Sequence, residues 1–190
     1  MGEEKSPCKV KLFFGLLFPD EEILARTEKR IVNDYGDIDL RSPIVPFNKT
    51  TYYENEMGQS LLRRFISIVN LIDPVELPTI KIQTNLLEKL FARPEGSRQV
   101  NIDPGYLTFS KVILATTKDY THRLYLGKKI YGEVTLHYKG GESLTLHSFS
   151  DGAKSFCPWE WTYPDYREPV AINFFNELRN IYKRQLKREE

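Results

Sequence analysis

Cysteine is scarce: Cys8 and Cys157 are the two in 190 residues. They lie far apart and outside CxxC or Cys/His ligand spacing, which excludes a disulfide framework and a structural zinc site and predicts a reducing, cytoplasmic setting. Net charge is also nearly absent, with 27 Lys and Arg against 26 Asp and Glu. No chain-wide footprint for nucleic acid or an acidic membrane follows from that balance, and any anion site must be local. The longest apolar run, Val10 to Phe18, is interrupted by Lys11 and is half a bilayer span, so it reads as a buried strand, not a membrane segment or signal peptide. No glycine begins GxxxxGK[ST], and GxGxxG is missing, which excludes a P-loop and the dinucleotide fingerprint. Three histidines at positions 122, 137 and 147 show no ligand spacing, and no metal is predicted.

What the chain does have is core: 41% hydrophobic and 13% aromatic residues beside 28% charged ones. A chain of this length buries roughly 70% of its unfolded surface in one domain. Val10 to Phe18 is apolar at both parities after Lys11, the pattern of a strand covered on both faces. Pro19-Asp20-Glu21-Glu22 opens a helix that keeps apolar spacing to a stop near Tyr35-Gly36. Residues 38 to 47 are extended but broken by Pro43 and Pro46, which predicts an edge. Leu62 to Ile72 is a second doubly apolar strand, followed by an Asp73-Pro74 helix start and a stripe of Leu77, Ile80, Thr84, Leu87 and Phe91. Val100 to Ile102 reads as a short strand running into Asp103-Pro104-Gly105-Tyr106, the composition of a type II turn.

Beyond that point the character turns to β. Val112 to Thr117 is a predicted strand, Thr121 to Leu126 and Lys129 to Tyr138 flank a Gly127-Lys128 hairpin turn, and Gly140-Gly141 turns the chain into Ser143 to His147. Ser148 to Pro158 reads as a small-residue loop, and Ala171 to Tyr182 as an amphipathic helix with a basic tail. The order β-α-β-β-α-β over residues 10 to 102 predicts an α+β fold: a ferredoxin-like core over about residues 9–103, extended by a β-meander and a C-terminal helix over about 104–188. All of residues 1–190 form one domain in this reading, and the appended elements cover the second sheet face.

Several strings are distinctive: Met57-Gly58 with Arg63-Arg64-Phe65, Leu71-Ile72-Asp73-Pro74, NIDPGYL at Asn101 to Leu107, ATTKD at Ala115 to Asp119, His122-Arg123, and TYPDYR at Thr162 to Arg167. Together they resemble the bacterial and archaeal family catalogued as domain of unknown function 4416, nearly end to end. The resemblance implies no activity, cofactor or catalytic residue, although members are sometimes labelled GTP-binding. Thr116-Thr117-Lys118-Asp119 misses the guanine-specifying [NT]KxD, because its Lys and Asp are adjacent. A P-loop GTPase is rejected. The stretch Ser143 to Pro158 is longer than the family's usual connection and reads as an insertion.

A two-residue Gly127-Lys128 turn places His122 opposite Glu133, where a carboxylate can fix an imidazole's tautomer for general base work. The plainer alternative is a cross-strand polar pair. In the same register Ile130, Val134, Leu136 and Tyr138 face the core, Arg123 points away from His122, and Gly132 leaves room beside Arg123 for a guanidinium or ligand. Lys111, Lys118 and Arg123, with Arg63 and Arg64, suggest an anion pocket, the alternative being charges flanking strand ends. Asp103 is a candidate acid or simply the favoured first residue of its turn. The Tyr52 to Gly58 loop joins stacking rings to carboxylates, Tyr52 and Glu54 among them, as a candidate lid. Trp161 to Arg167 reads as an aromatic belt packing the last helix or as a wall of a pocket. These residues predict a small-ligand domain for an anionic, phosphorylated or nucleotide-like molecule. The alternative is a non-enzymatic module that binds RNA or a protein through its sheet face or basic helix. Whether the chain is an enzyme, and which cofactor it uses, the residues leave open.

Overall fold

The computed structural model describes residues 2–50, 52–140 and 154–189. Strand β1 (Val10–Phe18) is buried along its whole length. Helix α1 (Glu21–Tyr35) follows, its first turn held by the Asp20 side chain, which accepts from the Ile23 amide at 2.9 Å. Two short strands, β2 (Ile38–Arg41) and β3 (Val45–Pro46), pair with the long β4 (Leu62–Ile72), and the one-turn α2 (Glu54–Met57) lies between. Pro43 falls between β2 and β3 and Pro46 ends β3, which explains why this edge comes in pieces. Asp73 and Glu76 form a capping box around a 3-10 turn that leads into α3 (Leu77–Leu90). Then come β5 (Asn101–Leu107), β6 (Lys111–Thr116), β7 (Leu124–Gly127), β8 (Ile130–Lys139), β9 (Ser155–Pro158) and the closing α4 (Pro169–Glu189). This is an α+β chain.

Among the described residues the strands make one antiparallel sheet in the order β2-β4-β1-β5-β6-β8-β7, with β3 on β4 and β9 on β8. Side chains alternate across β1, and both faces are covered. Leu12, Phe14, Leu16 and Phe18 pack with Ile23, Leu24 and Ile31 of α1 and with Ile80 and Leu87 of α3. Phe13 faces the other way, into Phe65, Phe174, Phe175 and Leu178, so α4 covers the second face. Each such side chain contributes roughly 1.5–3 kcal/mol by burial. Lys11 is the exception in the run: fully buried, it pairs with Asp39 of β2 and donates to the Ile68 carbonyl at 2.6 Å.

Four sequence expectations are corrected. Asp103 to Tyr106 is not a turn but the middle of β5. Pro104 lies one residue beyond the β5–β6 ladder, so its missing N–H costs no bond there, and Gly105 is required because a Cβ would collide with the Ile113 carbonyl and the Phe13 ring. The extension is not a meander. Residues 117–123 form a wide loop, and β8 inserts between β6 and β7. The hairpin turns at Lys128-Lys129, both at positive φ (54° and 63°), and the ladder pairs Leu124 with Gly132 and Tyr125 with Tyr131. Finally, β8 is bulged at Thr135, since Val112 faces Leu136 while Ile113 faces Val134. The bulge splits the expected core face: Ile130 and Val134 pack with Leu77 of α3, whereas Leu136 and Tyr138 pack with α4.

The stretch expected as a loop over 148–158 ends in β9. The expected turn at Gly140-Gly141, the expected strand Ser143 to His147, and His147 itself lie wholly or partly outside the described residues. No helix of the described residues is long and apolar enough to cross a membrane.

Candidate functional site

A cavity of about 500 Å³ opens over the sheet where β1, β4, β5, β6 and β8 run side by side. That volume lies within the range of small-molecule sites. Leu17, Arg63, Asp103, Leu114, Thr116 and Glu133 reach it from those strands. Phe47, Lys49, Tyr52 and Tyr53 reach it from the loop before α2, and Tyr163 to Tyr166 from the segment before α4.

The floor is built on Arg63. Strand alternation sends Arg63 toward α4 and Arg64 the other way, onto Glu28 of α1 at 3.3 Å. The Arg63 guanidinium is buried among the rings of Phe65, Tyr166 and Phe47 (5.0, 5.3 and 5.7 Å from its carbon), a cation–π cage. Its Nε and Nη2 donate to Asp165, and Nη1 has no partner. Burial works against the charge, but the Asp165 carboxylate outweighs it and holds Arg63 above even its ordinary range. The Tyr166 hydroxyl is likewise buried without a partner, and burial keeps that phenol protonated far above pH 10. Both atoms meet over Gly15 of β1. A Cβ there would stand 2.7 Å from the Tyr166 oxygen and 3.1 Å from Arg63 Nη1. Glycine therefore makes room for two buried donors.

One wall is a polar chain running from α2 to α3. Arg98 donates to Glu56 (2.7 Å), to Glu88 (3.0 Å) and to Asn101 Oδ1 (3.0 Å). Asn101 donates to Asp103 Oδ2 at 2.6 Å, and Lys81 donates to Asp103 Oδ1 at 3.2 Å and to the Ile102 carbonyl at 3.0 Å. Glu88 accepts from the Ile102 amide at 2.7 Å, and burial raises its pKa. Its hydrogen bonds to Glu56 and Glu88 fix Arg98 as a cation, the Glu56 bond first. At the mouth, Lys118 Nζ donates to the Tyr52 hydroxyl at 2.9 Å and lies 4.4 Å from that ring's centre, and the lysine lowers the phenol's pKa.

Of the residues singled out in the sequence, Tyr52, Asp103, Lys118, Glu133 and Arg63 line this cavity. Lys111 does not: it sits at the far end of β6 opposite His137. Glu54 is exposed on α2 and lies outside the lining. His122 and Glu133 are in contact at 3.2 Å although the register is shifted, because residues 119–123 are a turn folded over β8 and not a strand. For the same reason Arg123 does not point away from His122. Its Nε donates to the same Glu133 oxygen at 2.9 Å, while Nη1 and Nη2 reach the Lys118 carbonyl and the Tyr163 hydroxyl. The space at Gly132 is filled by Leu126, not by a guanidinium. With Thr135 donating to the other oxygen at 3.3 Å, the Glu133 carboxylate is held by three neighbours. The His122 ring is clasped between Tyr120 and Trp161, outside the cavity lining.

Sequence reasoning missed Lys81, Arg98 and Asn101, whereas Asp165 and Tyr166 belong to the Trp161 to Arg167 segment read as a helix-packing belt or a pocket wall, and both line the cavity. Lys81 and Glu88 carried a signal: they sit at i+4 from Leu77 and Thr84, on the apolar stripe of α3, where charge is out of place unless it is paired. Among the described residues no cluster of three or more His, Cys, Asp or Glu side chains could hold a metal ion.

The chain belongs to the family described as Domain of unknown function (DUF4416), whose model matches residues 8–182. No curated protein and no solved structure matches it significantly.

Proposed function

We propose that this chain is a small-ligand protein that binds an anionic, phosphorylated or nucleotide-like molecule in the cavity over β1, β4 and β5, without a P-loop. The observation that carries the reading is the pair of buried, unpartnered donors at the floor, Arg63 Nη1 and Tyr166 OH. A buried donor left unmade costs about 1–3 kcal/mol, and a ligand oxyanion offers it a partner in a site of low dielectric. Five cationic and three carboxylate side chains line the cavity, and Glu168, Glu56 and Glu88 behind the lining pair with Lys49 and Arg98, which leaves Arg63 Nη1 and Lys118 as the cationic donors free for a ligand. The frame fits this use. The order β2-β4-β1-β5 with α1 and α3 on one face supports a ferredoxin-like reading of the first half, and α4 on the opposite face frees the sheet ends to hold a ligand.

A dye-monitored thermal-shift panel of inorganic phosphate, nucleotides, phosphosugars and short RNAs tests the reading. A ligand at a hundred times its Kd stabilises by about 2.7 kcal/mol, a shift of several degrees. A panel in which no small anion raises the Tm overturns it. The second reading, an RNA- or protein-interaction module, is favoured by the stacked, half-exposed Trp159 and Trp161 (5.2 Å, 10°) flanked by His137 and His122. A shift with RNA alone would select it.

A further inference from the structure

The partners of the lining residues narrow the ligand further, on the premise that the cavity binds an anion. Each lining carboxylate is already matched: Asp165 by Arg63, Asp103 by Lys81, Glu133 by Arg123. Two of the lining cations are spent as well, Lys49 on Glu168 at 2.7 Å and Arg98 on Glu56 and Glu88. Among the described residues, the lining cations that are not fully spent on carboxylates are Arg63, through Nη1, and Lys118. Arg63 Nη1 and Tyr166 OH stand over Gly15 of β1, and Lys118, held by a neutral phenol, follows the end of β6. Strand β5 lies between β1 and β6. Two strand spacings separate β1 from β6, about 10 Å of backbone, and the long Lys118 side chain adjusts the reach. Asp103, partly exposed, sits between. Each of its oxygens takes one donor and keeps a lone pair free to accept a hydroxyl.

We propose that the ligand is a linear molecule with an anionic group at each end and hydroxyls between them, the chemistry of a sugar bisphosphate. One phosphate takes Arg63 Nη1 and Tyr166 OH after a small outward shift of those side chains. The other draws Lys118 from the Tyr52 hydroxyl, and a hydroxyl of the sugar donates to Asp103. A molecule with one anion reaches one end only. A molecule whose two charges sit side by side, such as pyrophosphate, gains nothing from the second.

Isothermal titration calorimetry on the full chain with fructose bisphosphate, fructose monophosphate, pyrophosphate and adipate tests this. The bisphosphate is expected to bind at least about tenfold more tightly than the monophosphate, the worth of one further charge-assisted hydrogen bond. Lys118→Ala removes that advantage and leaves monophosphate binding unchanged, while Tyr166→Phe, close to isosteric and safe for folding, weakens both. Equal affinities for bisphosphate and monophosphate, with Lys118→Ala silent, overturn the two-ended ligand and leave the anion cavity standing. Adipate or pyrophosphate binding more tightly than the bisphosphate overturns it too. Absence of binding by every probe removes the cavity reading itself.

Discussion

Replacing Tyr166 with phenylalanine removes one oxygen from the middle of the aromatic cluster and leaves its ring contacts with Phe65 and Phe175 (5.0 and 5.9 Å) in place. Loss of a hydroxyl from a buried tyrosine ordinarily destabilises a protein, because its partner is orphaned. Here the hydroxyl has no partner, and what the substitution deletes is the desolvation penalty of an unmade donor, about 1–3 kcal/mol. The lost dispersion contacts return a few tenths. The variant should therefore be more stable than the wild type by about 1–2 kcal/mol, which for a chain of this length raises Tm by roughly 2–8 °C. Urea unfolding and calorimetry read this directly. The midpoint should rise with the slope unchanged, since the surface exposed on unfolding is the same. A second cycle sharpens the test. Gly15→Ala places its methyl against the Tyr166 oxygen and should cost about 1–3 kcal/mol in the wild type but clearly less in the phenylalanine background. A fall in stability on Tyr166→Phe would refute the reasoning, because it would mean that the hydroxyl is bonded in the free protein and the floor holds no spare donor.

Two further outcomes follow from buried charge elsewhere. Lys11→Met leaves the Asp39 carboxylate without its cation and should destabilise by about 3 kcal/mol in urea unfolding, with Asp39→Leu in addition recovering most of the loss. His137 has its pKa lowered by burial first and then by Lys139, so the folded chain prefers the neutral ring. Its contribution is complete above the unfolded value near 6.5 and disappears as pH falls through the lower folded value, and His137→Gln should flatten that part of the Tm-against-pH curve. An unchanged acid limb in the variant would show that other groups carry it.

What could be read from the residues was local and periodic. The doubly apolar β1 and β4, the Asp20 and Asp73 caps and the amphipathic α4 needed nothing beyond spacing and composition, and they place the layers. The misreadings share a cause, which is tertiary geometry overriding a short-range signal. Pro104-Gly105 looks like a turn until Phe13 and the Ile113 carbonyl explain the glycine and the end of a ladder excuses the proline. Thr135 carries nothing that announces a bulge, yet Thr162 and Trp161 take the carbonyls of Thr135 and Val134 there and hold it open. In the site, Arg63, Lys118 and Asp103 stood out as charges near strand ends. Tyr166 and Asp165 lay in a segment that reads equally as packing for the last helix or as a pocket wall, and what makes them part of a floor is a contact about 100 residues away in sequence.

The pairing of Lys139 with Ser155 has a practical side. It brings the two ends of the connection between β8 and β9 side by side at the rim of the sheet, so the chain that joins them closes a gap of one strand spacing whatever its length. Closure entropy grows only with the logarithm of loop length, about 0.6 kcal/mol per doubling. This rim is thus a natural port, able to carry a fused reporter domain without transmitting the change to the cavity, which reaches β8 near its other end at Glu133.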